Sequence, residues 1–290
     1  MIGVATAALT RLGLVEAGCR PRFSVAVSRG STIAAEVSID PDQFLHIKGS
    51  AHASLRAEFD ATRRAVAVHG STVPRPVAHV VEGGWELLFS EGRRFSTLDA
   101  GALGSSRVVG ALLAFLERSA HTAEPAGPGR HAAFVERSLQ TSSTPIPDGL
   151  IRHWTSTAGG RVLDSLGTVA QHGDFTANNI GITRAGIVVF DWADFGAVEL
   201  PGFDLATLLL SMTGFEPARV GRLVTGTEPS LSRFAESACA RLGLPHPLFR
   251  TLLPLYLAVF LSLKSQFGTG IRQQVATALA HVSNNARMTH

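Results

Sequence analysis

Cysteine is scarce in this chain of 290 residues, in which only Cys19 and Cys239 occur and no Cys-x-x-Cys spacing is found. Two isolated cysteines predict neither a disulfide framework nor a zinc site. A basic segment is also missing ahead of the apolar residues 1–14, and no clear cleavage site follows them, which argues against a secretory signal. We therefore expect a protein of the reducing cytoplasm.

Long apolar runs and strong charge are missing as well. The longest apolar run, residues 252–263, is interrupted by Pro254 and too short to span a bilayer, so it predicts a core helix. Only 17% of the residues are charged, the formal net charge is +3, and the longest basic runs are the pairs at 63–64 and 93–94. Nucleic-acid-binding proteins carry larger basic patches. We therefore expect no nucleic acid and no membrane among the partners.

Residues 172–192 carry the strongest chemical signal. The β-branched residues at 180, 182, 187, 188 and 189 flank the sequence Thr-Arg-Ala-Gly and predict a β-hairpin. A chain reversal at Ala185 places Asn179 and Asp191 six positions to either side. Directly opposed residues on antiparallel strands have Cβ atoms roughly 4.5 to 5.5 Å apart, so an amide oxygen and a carboxylate can share one hard cation. Asp174, five residues before Asn179, lies in the loop that leads into this end.

The order His-x-Asp-x4-Asn, followed by an Asp after a short hairpin, is that of a kinase catalytic loop and its metal-binding Asp. Here the loop begins with His-Gly-Asp at 172–174, Asp191 follows the hairpin, and Gly-Phe-Asp at 202–204 comes downstream. This segment resembles the aminoglycoside phosphotransferase and choline kinase family of small-molecule kinases. The resemblance implies an α+β, two-lobed protein-kinase-like fold that uses ATP and Mg²⁺ to phosphorylate a hydroxyl group of a small molecule.

The resemblance also implies a role for each polar residue of this segment. Asp174 is the catalytic base that orients the acceptor hydroxyl and takes its proton, and Asn179 and Asp191 hold the Mg²⁺. His172 supports the loop through hydrogen bonds, and Asp204 holds the loop or caps the helix that begins at 205. The plainer interpretation of Asp174 is an ordinary turn or cap residue.

Asp194 is a rival for the metal-binding position. Asp-Phe-Gly at 194–196 has the sequence of the metal-binding triplet of protein kinases, three residues after Asp191. A ligand at 194 would lie beyond the strand pair and lose its opposition to Asn179. We therefore keep Asp191 as the ligand and interpret Asp194 as a loop residue or as a weak contact to the metal's ligands.

Lysine is nearly absent, since only Lys48 and Lys264 are lysines among the 26 basic side chains. Lys48 ends a predicted strand, where a lysine suits a point contact with the α- and β-phosphates of a nucleotide. The alternative is a solvated lysine at the edge of a sheet. The resemblance pairs Lys48 with Glu58, on a helix predicted over residues 54–68, and Asp60 is the rival for that pairing.

Five short strands and one helix predict a small antiparallel lobe over residues 1–91, followed by a mainly helical lobe over residues 92–290. The strands are predicted at 23–27, 32–39, 44–47, 78–81 and 85–89. The resemblance implies a hinge that binds adenine through its backbone, formed by Leu88, Phe89, Ser90 and Glu91. No Gly-x-Gly-x-x-Gly loop joins the first two strands, which favours a small-molecule kinase over a protein kinase.

Acidic residues are scarce in the region expected to bind the acceptor. Residues 205–290 contain three acids against eight basic residues, a balance of +5. Aminoglycosides need a carboxylate-rich wall, so we favour a neutral or anionic acceptor such as a sugar, nucleoside or hydroxy acid, although Asp148 and Asp164 could reverse this preference. Two other classes stay open. One is a nucleotide-binding regulator without turnover, and the other is a metal hydrolase with ligands at 172, 174, 191 and 194.

Overall fold

The computed structural model describes residues 1–16, 18, 21–29, 32–39, 43–142, 146–264 and 269–287. Cys19 and residues 30 and 31, in the connection between the first two predicted strands, lie outside these ranges. The chain forms two compact units, one of Met1–Ser96 with Gly181–Phe195 and the other of Thr97–Ile180 with Gly196–His290. The predicted lobes 1–91 and 92–290 stay a prediction.

The first unit is built on an antiparallel sheet. Along its third strand, Leu45 and Ile47 are buried whereas Phe44, His46 and Lys48 are partly exposed, the alternation expected where one face of a sheet is covered. All five predicted strands are confirmed, with ends shifted by up to three residues. The described strands are β1 (Arg22–Arg29), β2 (Thr32–Ser38), β3 (Phe44–Ser50), β4 (Pro76–Glu82) and β5 (Trp85–Glu91), in the spatial order β1-β2-β3-β5-β4.

Two helices accompany this sheet. Helix α1 (Ile2–Arg11) contributes Ala5 and Leu9 to the core that includes Ile47, Leu87 and Phe89 of the sheet. Helix α2 (Arg56–His69) buries side chains spaced three and four residues apart from Glu58 to His69, so Glu58 lies on its inner face. Gly70 follows at φ 58° and ends the helix, because a left-handed residue cannot continue it.

The second unit is mainly helical. Its first long helix begins at Ser106, because Ser105 caps the first turn and residues 100–104 form a separate 3₁₀ helix. A helix also forms over residues 157–164, although its two glycines weaken the local helical propensity. The described helices of this unit are α3 (Ser106–Ala120), α4 (Arg130–Gln140), α5 (Asp148–Thr155), α6 (Thr157–Asp164), α7 (Phe203–Met212), α8 (Pro217–Thr225), α9 (Pro229–Leu242), α10 (His246–Leu263) and α11 (Thr269–Arg287).

Helix α10 is the core helix predicted for residues 252–263. Within the described residues it is the one helix long and apolar enough to cross a membrane, and 67% of that stretch is buried inside the protein. The helix runs through Pro254 without a break. Proline removes one backbone donor from a helix, and the surrounding buried side chains hold the helix together at this point.

The predicted hairpin at 180–189 is confirmed. Its strands are β7 (Ile180–Thr183) and β8 (Gly186–Val189), and a short strand, β6 (Ser96–Thr97), extends them to the order β6-β7-β8. Gly186, where β8 begins, has φ 139°, a value that favours glycine. The hairpin thus begins one residue after Asn179 and ends two residues before Asp191.

Candidate active site

Asp204 holds the backbone of the loop that carries Asp174. Its Oδ2 accepts a hydrogen bond from His172 N at 2.7 Å, and its Oδ1 accepts one from Gly173 N at 2.9 Å. Burial raises the pKa of Asp204, whereas His172 and these two backbone donors act in the opposite direction. The first turn of α7 therefore fixes the His-Gly-Asp backbone, which is the position expected of a scaffold residue.

Gly202 lets the chain enter α7 at this point. Its φ of 86° is one that glycine adopts readily. A Cβ at this position would lie 2.8 Å from Cδ2 of Leu244 and 3.0 Å from the hydroxyl of Tyr256, so any larger residue would also displace neighbouring side chains. The Gly-Phe-Asp motif thus combines a special backbone conformation with the carboxylate of Asp204.

Gln171 supports the same loop, although it belongs to no recognisable sequence motif. Its amide nitrogen donates to Leu200 O at 2.6 Å and to Val198 O at 3.3 Å, and its Oε1 accepts from Asp204 N at 3.1 Å. The side chain is buried. A buried amide needs partners for its donors and acceptor, but a lone glutamine in a sequence does not reveal which backbone groups supply them.

The two carboxylate oxygens of Asp174 have different surroundings. Oδ2 accepts a hydrogen bond from Asn179 Nδ2 at 3.1 Å and forms an ion pair with Lys264 Nζ, also at 3.1 Å. Oδ1 is buried and has no hydrogen-bond partner among the described residues. One oxygen is therefore held by an amide donor and an ammonium group, and the other is enclosed by protein atoms, so the carboxylate is fixed in one orientation.

His172 contributes to the shape of the loop. Its ring is fully buried, and Nδ1 accepts a hydrogen bond from Asp174 N at 3.1 Å. A nitrogen that accepts a hydrogen bond carries no proton. The contact orders the backbone at Asp174 and involves no proton transfer, which suits the supporting role expected of His172.

Asn179 lies at the end of the loop that carries Asp174, in a 3₁₀ turn (Ala177–Asn179). Its Nδ2 donates to the backbone oxygen of Asp174 at 2.9 Å as well as to Oδ2 of that residue. Because the amide nitrogen makes both contacts, the carbonyl oxygen Oδ1 is the atom that remains to bind a cation. An amide oxygen is a suitable ligand for Mg²⁺.

In the first unit, Lys48 links two carboxylates. Its Nζ lies 2.7 Å from Glu58 Oε2 and 2.9 Å from Asp191 Oδ1. Burial alone lowers the pKa of Lys48, but Asp191 and Glu58 raise it above its ordinary value. Burial raises the pKa of Glu58 and Lys48 opposes that shift. We assign a charged pair, because the 2.7 Å distance is that of a charge-assisted hydrogen bond.

Asp191 has an uncommon backbone conformation, with φ 61° and ψ 67°. Left-handed backbone is rare for residues other than glycine, although Asp and Asn adopt it more readily than most. This conformation brings Oδ1 of Asp191 within 2.9 Å of Lys48 Nζ, and the Asp191 side chain is 46% exposed. Such outliers often occur at functional sites. Asp194, the rival, lies in the following 3₁₀ turn (Trp192–Asp194).

The residues predicted to form a hinge all lie in β5. Leu88 pairs with Lys48 and Ser90 pairs with His46 in the β3–β5 ladder. Leu88 and Ser90 also line a cavity of the first unit that is bordered by Glu58 and Asp191. Phe89 is fully buried in the core, and Glu91 ends the strand. The adenine-binding role of this segment stays a prediction.

The described residues contain no group of three or more His, Cys, Asp or Glu side chains arranged to hold a metal ion. A metal hydrolase with ligands at 172, 174, 191 and 194 would need such a group. No observation on the described part of the chain therefore favours that alternative.

Comparison with known proteins gives one family match. The profile described as APH, phosphotransferase enzyme family, matches residues 44–237, a range that includes Lys48, Glu58, Asp174, Asp191 and Asp204 but ends before Lys264. No curated protein sequence gives a significant match.

Solved structures resemble the chain along nearly its whole length. The GDP complex of aminoglycoside 2′-phosphotransferase-IIIa has a TM-score of 0.64 at 11% identity, with 97% of this chain and 98% of that chain covered. A thermostable mutant of the aminoglycoside phosphotransferase APH(4)-Ia, in a ternary complex with ADP and hygromycin B, has a TM-score of 0.59 at 14% identity and 97% coverage of both chains. Choline kinase from Cryptosporidium parvum Iowa II has a TM-score of 0.57 at 10% identity, with 97% and 96% covered. This likeness confirms the predicted α+β, protein-kinase-like fold.

Proposed function

Because the chain belongs to the phosphotransferase enzyme family, we propose that it is a small-molecule kinase that transfers the γ-phosphoryl group of ATP to a hydroxyl group, with Mg²⁺ as cofactor. The observation that carries this proposal is the state of Asp174, whose Oδ2 is held by two donors while Oδ1 has no partner among the described residues. A carboxylate held in this way suits a base that accepts the proton of a hydroxyl group.

The proposed transfer conserves atoms and charge. The acceptor oxygen forms a bond to the γ-phosphorus, the bond between that phosphorus and the β,γ-bridging oxygen breaks, and ADP leaves. The acceptor proton goes to the carboxylate of Asp174. Phosphoryl transfer needs little covalent help from the protein, so positioning and electrostatic stabilisation provide most of the rate increase.

Lys48 is the proposed contact for the α- and β-phosphates. Its ammonium group is fixed by Glu58 and Asp191 at 2.7 and 2.9 Å, so little side-chain freedom remains to be lost when a nucleotide binds. The ADP and GDP complexes of related folds support a nucleotide as the donor. We propose ATP, bound through the backbone of β5 between Leu88 and Glu91.

Asn179 and Asp191 are the proposed Mg²⁺ ligands. The residues fit the ion, because Asn179 keeps its amide oxygen available and Asp191 offers a carboxylate that is 46% exposed. When bound, Mg²⁺ neutralises charge on the β- and γ-phosphates.

The acceptor is proposed to be neutral or anionic. Two of the three acids in residues 205–290 are already engaged, since Glu216 caps α8 and Glu228 pairs with Arg219 and Arg222. Few carboxylates therefore remain for the ammonium groups of a polycation. Sugars, nucleosides and hydroxy acids are the preferred classes. We place the activity in the cytoplasm, with antibiotics of these classes among the candidate acceptors.

A screen of acceptors tests the proposal. The purified chain with ATP and Mg²⁺ is incubated with neutral sugars, nucleosides, sugar acids and aminoglycosides, and ADP and phosphorylated acceptor are measured. We expect one neutral or anionic class to gain a phosphoryl group. Glu136→Gln, a substitution of an exposed carboxylate in α4, serves as the control and should leave turnover unchanged. Nucleotide binding without any phosphorylated product would instead indicate a regulator without turnover.

A further inference from the structure

Lys264 lies outside the family motifs of this chain. It is one of two lysines in the chain, and it follows the last residue of α10. Its side chain is 4% exposed, and Nζ lies 3.1 Å from Oδ2 of Asp174. The match to the phosphotransferase family ends at residue 237. The motifs of the catalytic loop therefore give no indication of this contact.

The charges around Asp174 show why a cation matters at this point. Asp204 is buried nearby and interacts electrostatically with Asp174 and His172. Residues 172–183 contain no lysine or arginine, so the catalytic loop brings acidic groups and no permanent cation of its own. Lys264 supplies one positive charge from the end of α10, a different element of the same unit.

The geometry of the carboxylate indicates what that charge does. Asn179 donates a hydrogen bond to Oδ2, Lys264 forms an ion pair with the same atom, and Oδ1 has no hydrogen-bond partner among the described residues. Two partners on one oxygen fix the rotation of a carboxylate about its Cβ–Cγ bond, which one partner alone would leave less defined. The whole carboxylate is thereby kept in one orientation.

We propose that Lys264 is a positioning residue for the phosphoryl transfer, which holds the carboxylate of Asp174 in the orientation in which it receives the acceptor proton. The inference rests on the phosphotransferase function proposed above. Lys264 acts through Asp174 and needs no contact with the substrate. Helix α10 can hold it in place because the helix is buried along most of its length and Tyr256 donates a hydrogen bond to Pro201 O at 2.5 Å.

Steady-state kinetics of Lys264→Met test the proposal. We expect kcat to fall about 100-fold, the loss typical of a misplaced catalytic group, while KM for ATP and for the acceptor change by less than about twofold. Arg241→Met is the matched control, because it removes one positive charge from an exposed ion pair with Glu117 in the same unit. Its kcat should equal that of the parent.

A second pair of variants separates positioning from other roles. In the Asp174→Asn background, Lys264→Met should change the residual rate by less than about twofold, since effects of residues that act as a unit are not additive. Should Lys264→Met fail to fold, Lys264→Gln keeps a donor for Oδ2 without the charge. It should lower kcat less than about 100-fold, again with KM unchanged.

Each outcome decides the question. A parent-like kcat in Lys264→Met, an equal loss in both backgrounds, or a rise in KM without a fall in kcat overturns the proposal. A parent protein that phosphorylates no acceptor refutes the proposed function instead. In that case the unfolding temperatures of Lys264→Met, Asp174→Asn and the double variant still test the pair. Additive shifts would show that the two side chains do not interact.

Discussion

Replacing Lys48 by methionine should destabilise the first unit by an amount set mainly by Glu58. The Glu58 side chain is 9% exposed and the Asp191 side chain is 46% exposed. A half-exposed ion pair contributes about 1 kcal/mol or less, whereas removing one partner of a buried pair costs roughly 3–5 kcal/mol. Because the Lys48 side chain is 26% exposed, we take the lower end of the range for buried pairs. We expect Lys48→Met to lower the free energy of unfolding by about 3 kcal/mol.

Glu58→Gln in the same chain should recover part of that loss. A neutral amide removes the buried charge that Lys48→Met leaves without compensation. We expect a coupling free energy of about 2 kcal/mol between the two substitutions, within the range found for contacting residues. Urea denaturation of the parent, the two single variants and the double variant measures it. Strictly additive single losses would refute the reasoning.

The exposed pair Arg56–Asp60 on α2 is the matched control. Its side chains are 61% and 40% exposed and spaced i,i+4, so its coupling should be about 0.2–0.5 kcal/mol. Activity provides the complementary measurement. The Lys48→Met/Glu58→Gln variant should regain stability but keep a kcat/KM about 100-fold below the parent, because the phosphates still lack their cation. Recovery of both stability and kcat/KM in this double variant would show that Lys48 has only a structural role.

Three further predictions follow from the described contacts. Asp204→Asn should lower the free energy of unfolding by about 1–3 kcal/mol, because the amide nitrogen of the new asparagine cannot accept the hydrogen bond that a backbone N–H donates to Asp204. Its kcat should fall with nucleotide affinity unchanged; unaltered thermal unfolding and turnover would contradict this role. Burial raises the pKa of the Cys239 thiol to about 12, so in a Cys19→Ser background the native protein should not react with a disulfide reagent at pH 8. Rapid labelling of native protein would contradict the burial. Chelation of Mg²⁺ should abolish turnover without lowering the unfolding temperature, and a large decrease would indicate a structural metal.

The hairpin and its flanking residues could be predicted because their signals are local. A turn sequence between β-branched residues specifies the reversal, which falls at residues 184 and 185, between Thr183 and Gly186. The direct opposition of Asn179 and Asp191 stays a prediction. Lys48 and Glu58 could be paired only through the resemblance, since they lie on different elements. Their 2.7 Å contact depends on the packing of α2 against the sheet.

The contacts of Gln171 and Lys264 could not be predicted from sequence patterns. Gln171 binds the backbone of residues far along the chain, and Lys264 reaches Asp174 from the end of α10. Neither contact leaves a periodic or spaced signal, because tertiary packing alone brings the groups together. Lysine is rare in this chain, but composition alone does not indicate which residue Lys264 contacts.

The measurement that tests the account most directly compares the parent with Asp174→Asn by mass spectrometry of the acceptor after incubation with ATP and Mg²⁺. The parent should produce an acceptor that has gained one phosphoryl group, together with an equal amount of ADP. The variant should bind ATP as the parent does but form product at least about 100-fold more slowly. A variant that phosphorylates the acceptor at the parent rate would contradict the assignment of Asp174 as the base.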